Sequence, residues 1–239
     1  MKKNGFTLAE VLITLGIIGV VAALTMPALI AKYQEKEAAV RLKKLYSTLD
    51  NAMRLAVQEN ETVDNWGIVN YNDSYKITEK LIPYLKITKN CGMSSDSCGF
   101  LQGSYMNLKG DTDGRFNGPA TDFSKTALAD GMSIAIWGQD GNCALDTGNC
   151  GVIFTDINGG AKGPNIVGKD GFWFIIKKDR ILPTGIQNDT SYPFETTCLN
   201  AGSNYYAGRG CTAWVIYNEN LDYLHCPGEL SWNGPTTCK

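Results

Sequence analysis

The sequence predicts an α+β protein in which a long N-terminal helix packs on an antiparallel β-sheet head with disulfide-bonded loops. Three features predict this fold. An apolar run fills residues 6–30, an amphipathic helical pattern continues through residues 31–59, and short β-like runs between glycine, asparagine and aspartate fill residues 60–239. A helix followed by a group of strands, without regular alternation of the two, is typical of the α+β class. We expect residues 60–239 to form one head domain.

The apolar run has the length of a membrane span. Between Phe6 and Ile30 the only charged side chain is Glu10, and Lys2 and Lys3 precede the run. About 20 apolar residues, each rising roughly 1.5 Å along a helix, cross the hydrocarbon core of a bilayer. Basic residues favour the cytoplasmic side. The sequence therefore predicts a single pass through the inner (cytoplasmic) membrane, with the N-terminus cytoplasmic and the head outside the cytoplasm.

Three kinds of N-terminal segment fit this composition unequally. A secretory signal would be cut after a small residue such as Ala28 or Ala31, but its apolar stretch is usually only about 7–15 residues long. A plain membrane anchor fits the length and leaves Glu10 unexplained, because a carboxylate at mid-bilayer costs about 2.5–3.5 kcal/mol on insertion scales. A buried charge of this kind calls for a partner.

The segment MKKNGFTLAEVLITLGIIGVVAAL resembles the start of type IV prepilins and type II secretion pseudopilins. The resemblance implies that residues 1–5 are a leader, cut between Gly5 and Phe6 by a prepilin peptidase, and that Phe6 is then N-methylated. It places the family's glutamate at Glu10, four residues after Phe6 and on the same helix face. In this family the glutamate is thought to pair with the amine of a neighbouring subunit, which is assembly chemistry rather than catalysis.

The same resemblance implies the partners and a weak point in the helix. The partners are the prepilin peptidase, other pilin or pseudopilin subunits, and an inner-membrane assembly platform. Gly19 and Pro27 stand at the offsets where family members carry a glycine and a proline, and there the helix is thought to loosen when subunits leave the bilayer. Glycine weakens helix propensity and proline removes a backbone hydrogen bond. The alternative is that both residues are simply common in membrane helices.

Residues 31–59 continue the helix with an apolar stripe at three- and four-residue steps. The stripe should pack on the head, although a brief coiled coil with a partner helix is the other possibility. Its members are Ala38, Leu42, Leu45, Leu49, Ala52, Met53 and Ala56.

The head contains several candidate strands and one short helix. Residues 172–176 and 181–182 flank a lysine-aspartate turn and predict a hairpin. Residues 134–137 and 152–155 predict further strands, and residues 75–85 predict a short helix interrupted near Pro83. Residues 211–217 fit a helix and a strand equally well.

All eight cysteines lie in the predicted extracytoplasmic part of the chain. An even number of exported cysteines indicates disulfides, and none of them has the close spacing of a zinc site. The sequence leaves the connectivity open, and we expect sequence neighbours to pair. The expected pairs are Cys91 with Cys98, Cys143 with Cys150, Cys198 with Cys211, and Cys226 with Cys238.

The stretch from Thr155 to Phe174 is the most distinctive part of the head, and it resembles loops before the last strands of some pseudopilins and minor-pilin-like proteins. As in some major pseudopilins, Asp156, Asn158 and Asp170 would supply oxygen ligands for calcium. The other interpretation, which we favour, is a glycine-rich connection whose Asx side chains bond their own backbone. No other cofactor is expected.

Composition and motifs argue against an enzyme and against a nucleic-acid partner. The chain has one histidine, His225, and contains neither a G-x-S-x-G elbow nor a Walker A loop. Residues 60–239 carry 14 basic and 19 acidic side chains, a net charge near -5, which disfavours phosphate binding.

These features predict a structural subunit of a type IV pilus or a type II secretion pseudopilus. The alternative is a membrane-anchored extracytoplasmic binding or adhesion protein. Aromatic residues near the C-terminus could supply its site, although such residues more often fill a core; they are Tyr205, Tyr206, Trp214, Tyr217, Tyr223 and Trp232.

Overall fold

A computed structural model describes residues 7–144, 148–200 and 205–239. Its first element, helix α1, runs without interruption from Leu8 to Asn60. The predicted membrane half and amphipathic half are therefore parts of one continuous helix of 53 residues. It ends where the indole Nε1 of Trp66 donates to the carbonyl oxygens of Asn60 and Glu61, at 3.0 and 3.1 Å, which satisfies groups that a helix C-terminus leaves without partners.

In the described part of the chain, eight strands and two further α-helices form the head. Helix α2 spans Ser74–Leu81 and helix α3 spans Thr212–Asn218. The strands are β1 (Ile87–Gly92), β2 (Ser104–Met106), β3 (Thr112–Asn117), β4 (Ser124–Leu128), β5 (Ser133–Gly138), β6 (Gly151–Asp156), β7 (Gly171–Ile176) and β8 (Ile181–Pro183).

Six of these strands form one antiparallel sheet in the order β1-β4-β5-β6-β7-β8. Strands β2 and β3 pair separately as a small antiparallel hairpin. The long helix on an antiparallel sheet confirms the predicted α+β fold. The strands predicted at 134–137, 152–155 and 172–176 and the hairpin to 181–182 are confirmed, as is the short helix before Pro83. Residues 212–218, left open by the sequence, are helical.

Side chains alternate between the two faces of the sheet, and each face has its own core. The face toward α1 buries Ile134, Ile136, Ile153, Phe172, Phe174 and Ile176. On it lies the stripe of α1, whose buried members are Ala39, Leu42, Leu45, Leu49, Ala52, Met53 and Ala56. The predicted stripe is confirmed except at its start, because Ala38 is only half-buried and Ala39 takes the core position. Tyr46 of α1 stacks on Phe174 with ring centroids 5.9 Å apart.

The opposite face of the sheet is aromatic and is covered by the β2–β3 hairpin. Its core contains Phe100, Tyr105, Phe116, Phe123, Phe154 and Trp173. The rings of Phe116 and Phe154 lie 4.5 Å apart, and those of Tyr105 and Phe154 meet edge to face at 4.9 Å, in the range where aromatic pairs attract.

Four disulfides close loops in the head, with the four pairings expected from the sequence. They join Cys91 to Cys98, Cys143 to Cys150, Cys198 to Cys211, and Cys226 to Cys238. Each crosslink spans 7 to 13 residues. Loops of this length restrict the unfolded chain by roughly 2–4 kcal/mol each.

Candidate functional site

The N-terminal half of α1 presents an apolar surface that the rest of the chain leaves uncovered. An 18-residue window within the helix has a mean hydropathy of 2.3, and none of that window is buried. Side chains such as Leu12, Ile18 and Leu24 are 60 % exposed or more. A helix long and apolar enough to cross a membrane, with no intramolecular cover, fits a membrane anchor or a surface that packs against other chains.

Glu10 is held by the first turn of the helix. Its carboxylate Oε2 accepts from the backbone nitrogen and from the hydroxyl of Thr7, both at 2.8 Å, and the Thr7 hydroxyl accepts from the Glu10 nitrogen at 3.3 Å. This reciprocal capping box satisfies two donors at the helix N-terminus. No basic side chain in the described part of the chain forms a salt bridge with Glu10. The carboxylate is thus fixed in place while its charge has no cation partner among the described residues.

The predicted cleavage and methylation positions, Gly5 and Phe6, lie outside the described residues. Their predicted roles rest on the sequence, and so does the pairing of Glu10 with an amine. Glu10 itself is placed at the exposed tip of α1, where a second subunit could reach it.

Gly19 and Pro27 both lie inside the continuous helix. A Cβ placed on Gly19 would meet no atom within 4 Å, so packing inside this chain does not require glycine there. Pro27 leaves the carbonyl oxygen one turn earlier without its helical donor. The loosening of the helix around Gly19 and Pro27 therefore stays a prediction. The unpacked glycine and the missing helical hydrogen bond are compatible with it.

Polar contacts attach α1 to the base of the head. The Arg41 guanidinium donates to the carbonyl oxygen of Ile157 at 3.0 Å, and the Lys44 ammonium contacts Asp130 at 2.9 Å. His225, predicted to be a surface or packing residue, places its Nε2 2.8 Å from the Glu35 carboxylate. Exposed ion pairs of this kind contribute little energy. The buried stripe of α1 therefore provides most of the attachment.

The structure brings Asp156, Asn158 and Asp170 together and shows what holds the two carboxylates. Asp156 Oδ1 accepts from the backbone nitrogens of Asn158 and Gly159, at 3.0 and 2.7 Å, and the Tyr105 hydroxyl donates to Oδ2 at 2.5 Å. Both Asp170 oxygens accept from backbone nitrogens at 2.7 Å. Within the described ranges, no group of three or more His, Cys, Asp or Glu side chains is arranged to hold a metal ion.

Burial sets the protonation of these two carboxyls. It raises the pKa of Asp156 from 3.8 to about 6, against the hydrogen bonds from Tyr105 and the backbone that favour the ionised form. It also raises the pKa of Asp170. Together, the backbone bonds and the burial fit the loop-ordering interpretation, in which Asx side chains organise a glycine-rich connection. Calcium binding stays a prediction.

The C-terminal aromatic residues separate into two groups. Trp214 and Tyr223 are buried in the core, and Trp214 stacks on Phe194 with centroids 4.4 Å apart. Trp232 packs on the same pair, and Tyr217 is exposed beside it. Half of this set therefore fills a core, as the sequence interpretation expected for such residues. Tyr205 and Tyr206 differ, because they lie over the guanidinium of Arg209 at 5.6 and 4.9 Å.

Comparison with known families identifies a motif at the N-terminus. The family described as the prokaryotic N-terminal methylation motif matches residues 1–26. The chain carries the prepilin signature. A family of unknown function (DUF6613) matches residues 28–110. Neither a curated protein nor a solved structure matches the chain.

The prepilin signature covers Gly5, Phe6, Glu10 and Gly19, and Pro27 immediately follows it. The long apolar helix and the signature fit a membrane-anchored, pilin-like protein of structural type. The second match runs from the exposed end of the apolar segment through α2 and β1 to the turn before β3. It therefore includes the whole buried stripe of α1 and the first elements that pack beside it.

Proposed function

We propose that this chain is a structural, non-enzymatic subunit (pilin, minor pilin or pseudopilin) of a type IV pilus or a type II secretion pseudopilus. A prepilin peptidase cuts it between Gly5 and Phe6, and Phe6 is N-methylated. The subunit is then held in the inner membrane with its head outside the cytoplasm and is inserted by an assembly platform. The observation that supports this most directly is an uncovered apolar helix whose exposed tip carries one carboxylate, Glu10, under the prepilin signature.

The assembly step follows from the physical chemistry of that helix. Copies of α1 that pack together cover the apolar surface that a single chain leaves exposed, and lipid or neighbouring helices are its only suitable environments. Glu10 in such a bundle would be desolvated without a cation. The methylated amine of Phe6 in a neighbouring subunit supplies one. The ion pair between the Glu10 carboxylate and this amine fixes the axial displacement between neighbouring helices.

The test of processing is mass spectrometry of the mature protein from its native host. We expect a chain that begins at Phe6 and carries one added methyl group. A chain that begins after Ala31 would mean ordinary signal cleavage, and a chain with an intact leader would mean no prepilin processing. Either result would overturn the proposal.

The test of assembly compares Glu10→Gln with Thr7→Ala and Glu79→Gln. Glu10→Gln removes a charge-assisted bond worth about 1.5–3 kcal/mol, so we expect normal cleavage and at least a roughly tenfold lower yield of sheared filaments. Thr7→Ala keeps the charge and removes only the capping box, a loss of about 1 kcal/mol. Glu79 is exposed on α2, and its variant is the matched control.

Three outcomes of the assembly test differ in meaning. Normal filament yield from Glu10→Gln would contradict charge pairing. An equal defect in Thr7→Ala and Glu10→Gln would assign the effect to the helix cap instead. If the wild-type protein is found only as a membrane monomer in cells with the machinery, the alternative of a membrane-anchored binding or adhesion protein would replace the filament subunit.

A further inference from the structure

A small recess opens on the face of the sheet that points away from α1. It has a volume of about 40 Å³ and is lined by Arg115, Phe123, Trp137, Trp173, Tyr192 and Arg209. These residues come from β3, β5, β7, the connection between β3 and β4, and the connection between β8 and α3. A space of this size exceeds that of one water, for which roughly 10–15 Å³ suffices, and matches a group of a few heavy atoms.

Two tryptophans that line the recess carry indole donors for which no described residue is an acceptor. The indole Nε1 atoms of Trp137 and Trp173 are both buried, and neither has a hydrogen-bond partner within the described residues. Trp173 is 1 % exposed. An unpaired buried donor costs about 1–3 kcal/mol, and two of them beside one recess favour a ligand that brings acceptors.

The two arginines of the recess differ in how their charges are balanced. Arg209 is buried and forms a two-bond ion pair with Asp113, whose Oδ2 accepts from Nε at 3.1 Å. Arg115 is exposed, and no carboxylate in the described part of the chain forms a salt bridge with it. Its Nη2 donates to the Tyr206 hydroxyl at 3.2 Å, and its guanidinium lies 5.8 Å from the Trp137 ring.

The charged groups that line the recess are Arg115, Arg209 and Asp122. Because Arg209 is paired with Asp113, the guanidinium of Arg115 is the cation available to a ligand. Guanidinium and indole nitrogens are donors only. Donors with one positive charge match a carboxylate, which is acceptor-only and accepts from arginine in two directions.

Further aromatic rings pack on two residues that line the recess. Tyr71 stacks on Trp137 with centroids 6.4 Å apart and an interplanar angle of 12°. Tyr192 meets Tyr206 edge to face at 5.9 Å. Rigid amphipathic rings offer contact area at little entropic cost, and flat walls fit a ring-shaped body better than a linear chain.

We propose that this recess binds the carboxylate of an acidic sugar, with Arg115 pairing the charge, the indole nitrogens of Trp137 and Trp173 donating, and the aromatic rings contacting the sugar ring. The recess lies on the sheet face opposite α1, so subunits that pack through α1 leave it accessible. The inference is independent of the assembly function, because cleavage and filament yield do not involve these residues.

The test uses the full-length protein in detergent micelles and isothermal titration calorimetry with D-glucuronate. We expect saturable binding of D-glucuronate, and binding of D-glucose, which lacks the carboxylate, that is at least about tenfold weaker. Arg115→Gln should weaken glucuronate binding about tenfold or more. Trp137→Phe keeps the ring, removes one neutral donor, and should weaken binding roughly threefold to tenfold.

The matched control is Arg180→Gln, because Arg180 is an exposed arginine in the β7–β8 turn that pairs with its neighbour Asp179. It should leave glucuronate binding unchanged. Equal binding of glucose and glucuronate, or unchanged binding in Arg115→Gln, would overturn the proposal. Tighter binding of an acidic peptide than of glucuronate would refute the sugar and assign the recess to a protein partner. Absence of any binding would also refute the proposal.

Discussion

Asp156 provides a quantitative test of the head, because its carboxyl is buried and its environment is fully defined. Burial raises its pKa from 3.8 to about 6 in the folded chain. The folded state therefore holds the proton more tightly than the unfolded chain does. This group stabilises the fold fully below about pH 3.8, its contribution falls as pH rises, and the contribution is lost above about pH 6. The total change is about 2 pKa units, or about 3 kcal/mol.

The perturbation is Asp156→Asn. The amide oxygen can still accept from the nitrogens of Asn158 and Gly159, and the amide group can donate to the Tyr105 hydroxyl, so the loop keeps its bonds while the titration is removed. By linkage, the free energy of unfolding of the wild type should gain about 1.4 kcal/mol relative to the variant between about pH 7.5 and about pH 5.

The assay is urea unfolding of the full-length protein in micelles, followed by tryptophan fluorescence, since all five tryptophans lie in the head. Other carboxyls have lowered pKa values, for example Asp96 through its bond with Lys89, and they destabilise the fold in acid. Their effects are common to both proteins and cancel in the difference. A difference between wild type and variant that does not change with pH would refute the reasoning.

Three further predictions concern the same head. Asp113→Ala should destabilise it by about 3–5 kcal/mol in urea unfolding, because Arg209 would stay buried without its partner; a loss below about 1 kcal/mol would contradict a desolvated pair. Replacing Cys198 and Cys211 together by serine should cost about 2–4 kcal/mol, and an unchanged urea midpoint would be the contrary result. Calcium titration should leave the melting temperature unchanged, because backbone nitrogens already occupy the carboxylates of the glycine-rich loop; a rise that saturates with calcium would favour the metal site.

The parts of the fold that the sequence predicts are those with strong local patterns. The helix follows from one apolar run and one apolar stripe, and the hairpin of β7 and β8 follows from apolar residues on both sides of a charged turn. The expected disulfide pairs are also close in sequence. For the helix and the hairpin the determining residues lie within a few positions of one another, so periodicity is sufficient.

The sequence does not predict strands β1 and β4, because their residues are polar. β4 contains Lys125, which is fully buried; its ammonium donates to the carbonyl oxygens of Ser94, at 2.7 Å, and Ala120, and burial lowers its pKa. Half of the residues of β1 are exposed and none is buried, and the strand lies at the sheet edge. The sheet interior tolerates this lysine because its ammonium donates to carbonyl oxygens 5 and 31 positions away. No local sequence pattern reveals these partners.

The recess was missed for a related reason. The sequence drew attention to Tyr205 and Tyr206, while the arginines that they contact stand in β3 and before α3. Asp113 and Arg209 are 96 residues apart. The alternation in β5 and β7 was the available signal, because it places Trp137 and Trp173 on the face away from the isoleucines and phenylalanines that meet α1.

The four short crosslinks have a mechanical consequence. In the proposed filament, a subunit under tension would be pulled through α1, whose buried stripe packs on the sheet. If the head yields, the chain can lengthen only by the residues outside the closed loops. Each bridge, spanning 7 to 13 residues, removes its loop from the length that can be drawn out. The four bridges thus shorten the length of chain that an unfolding head can release.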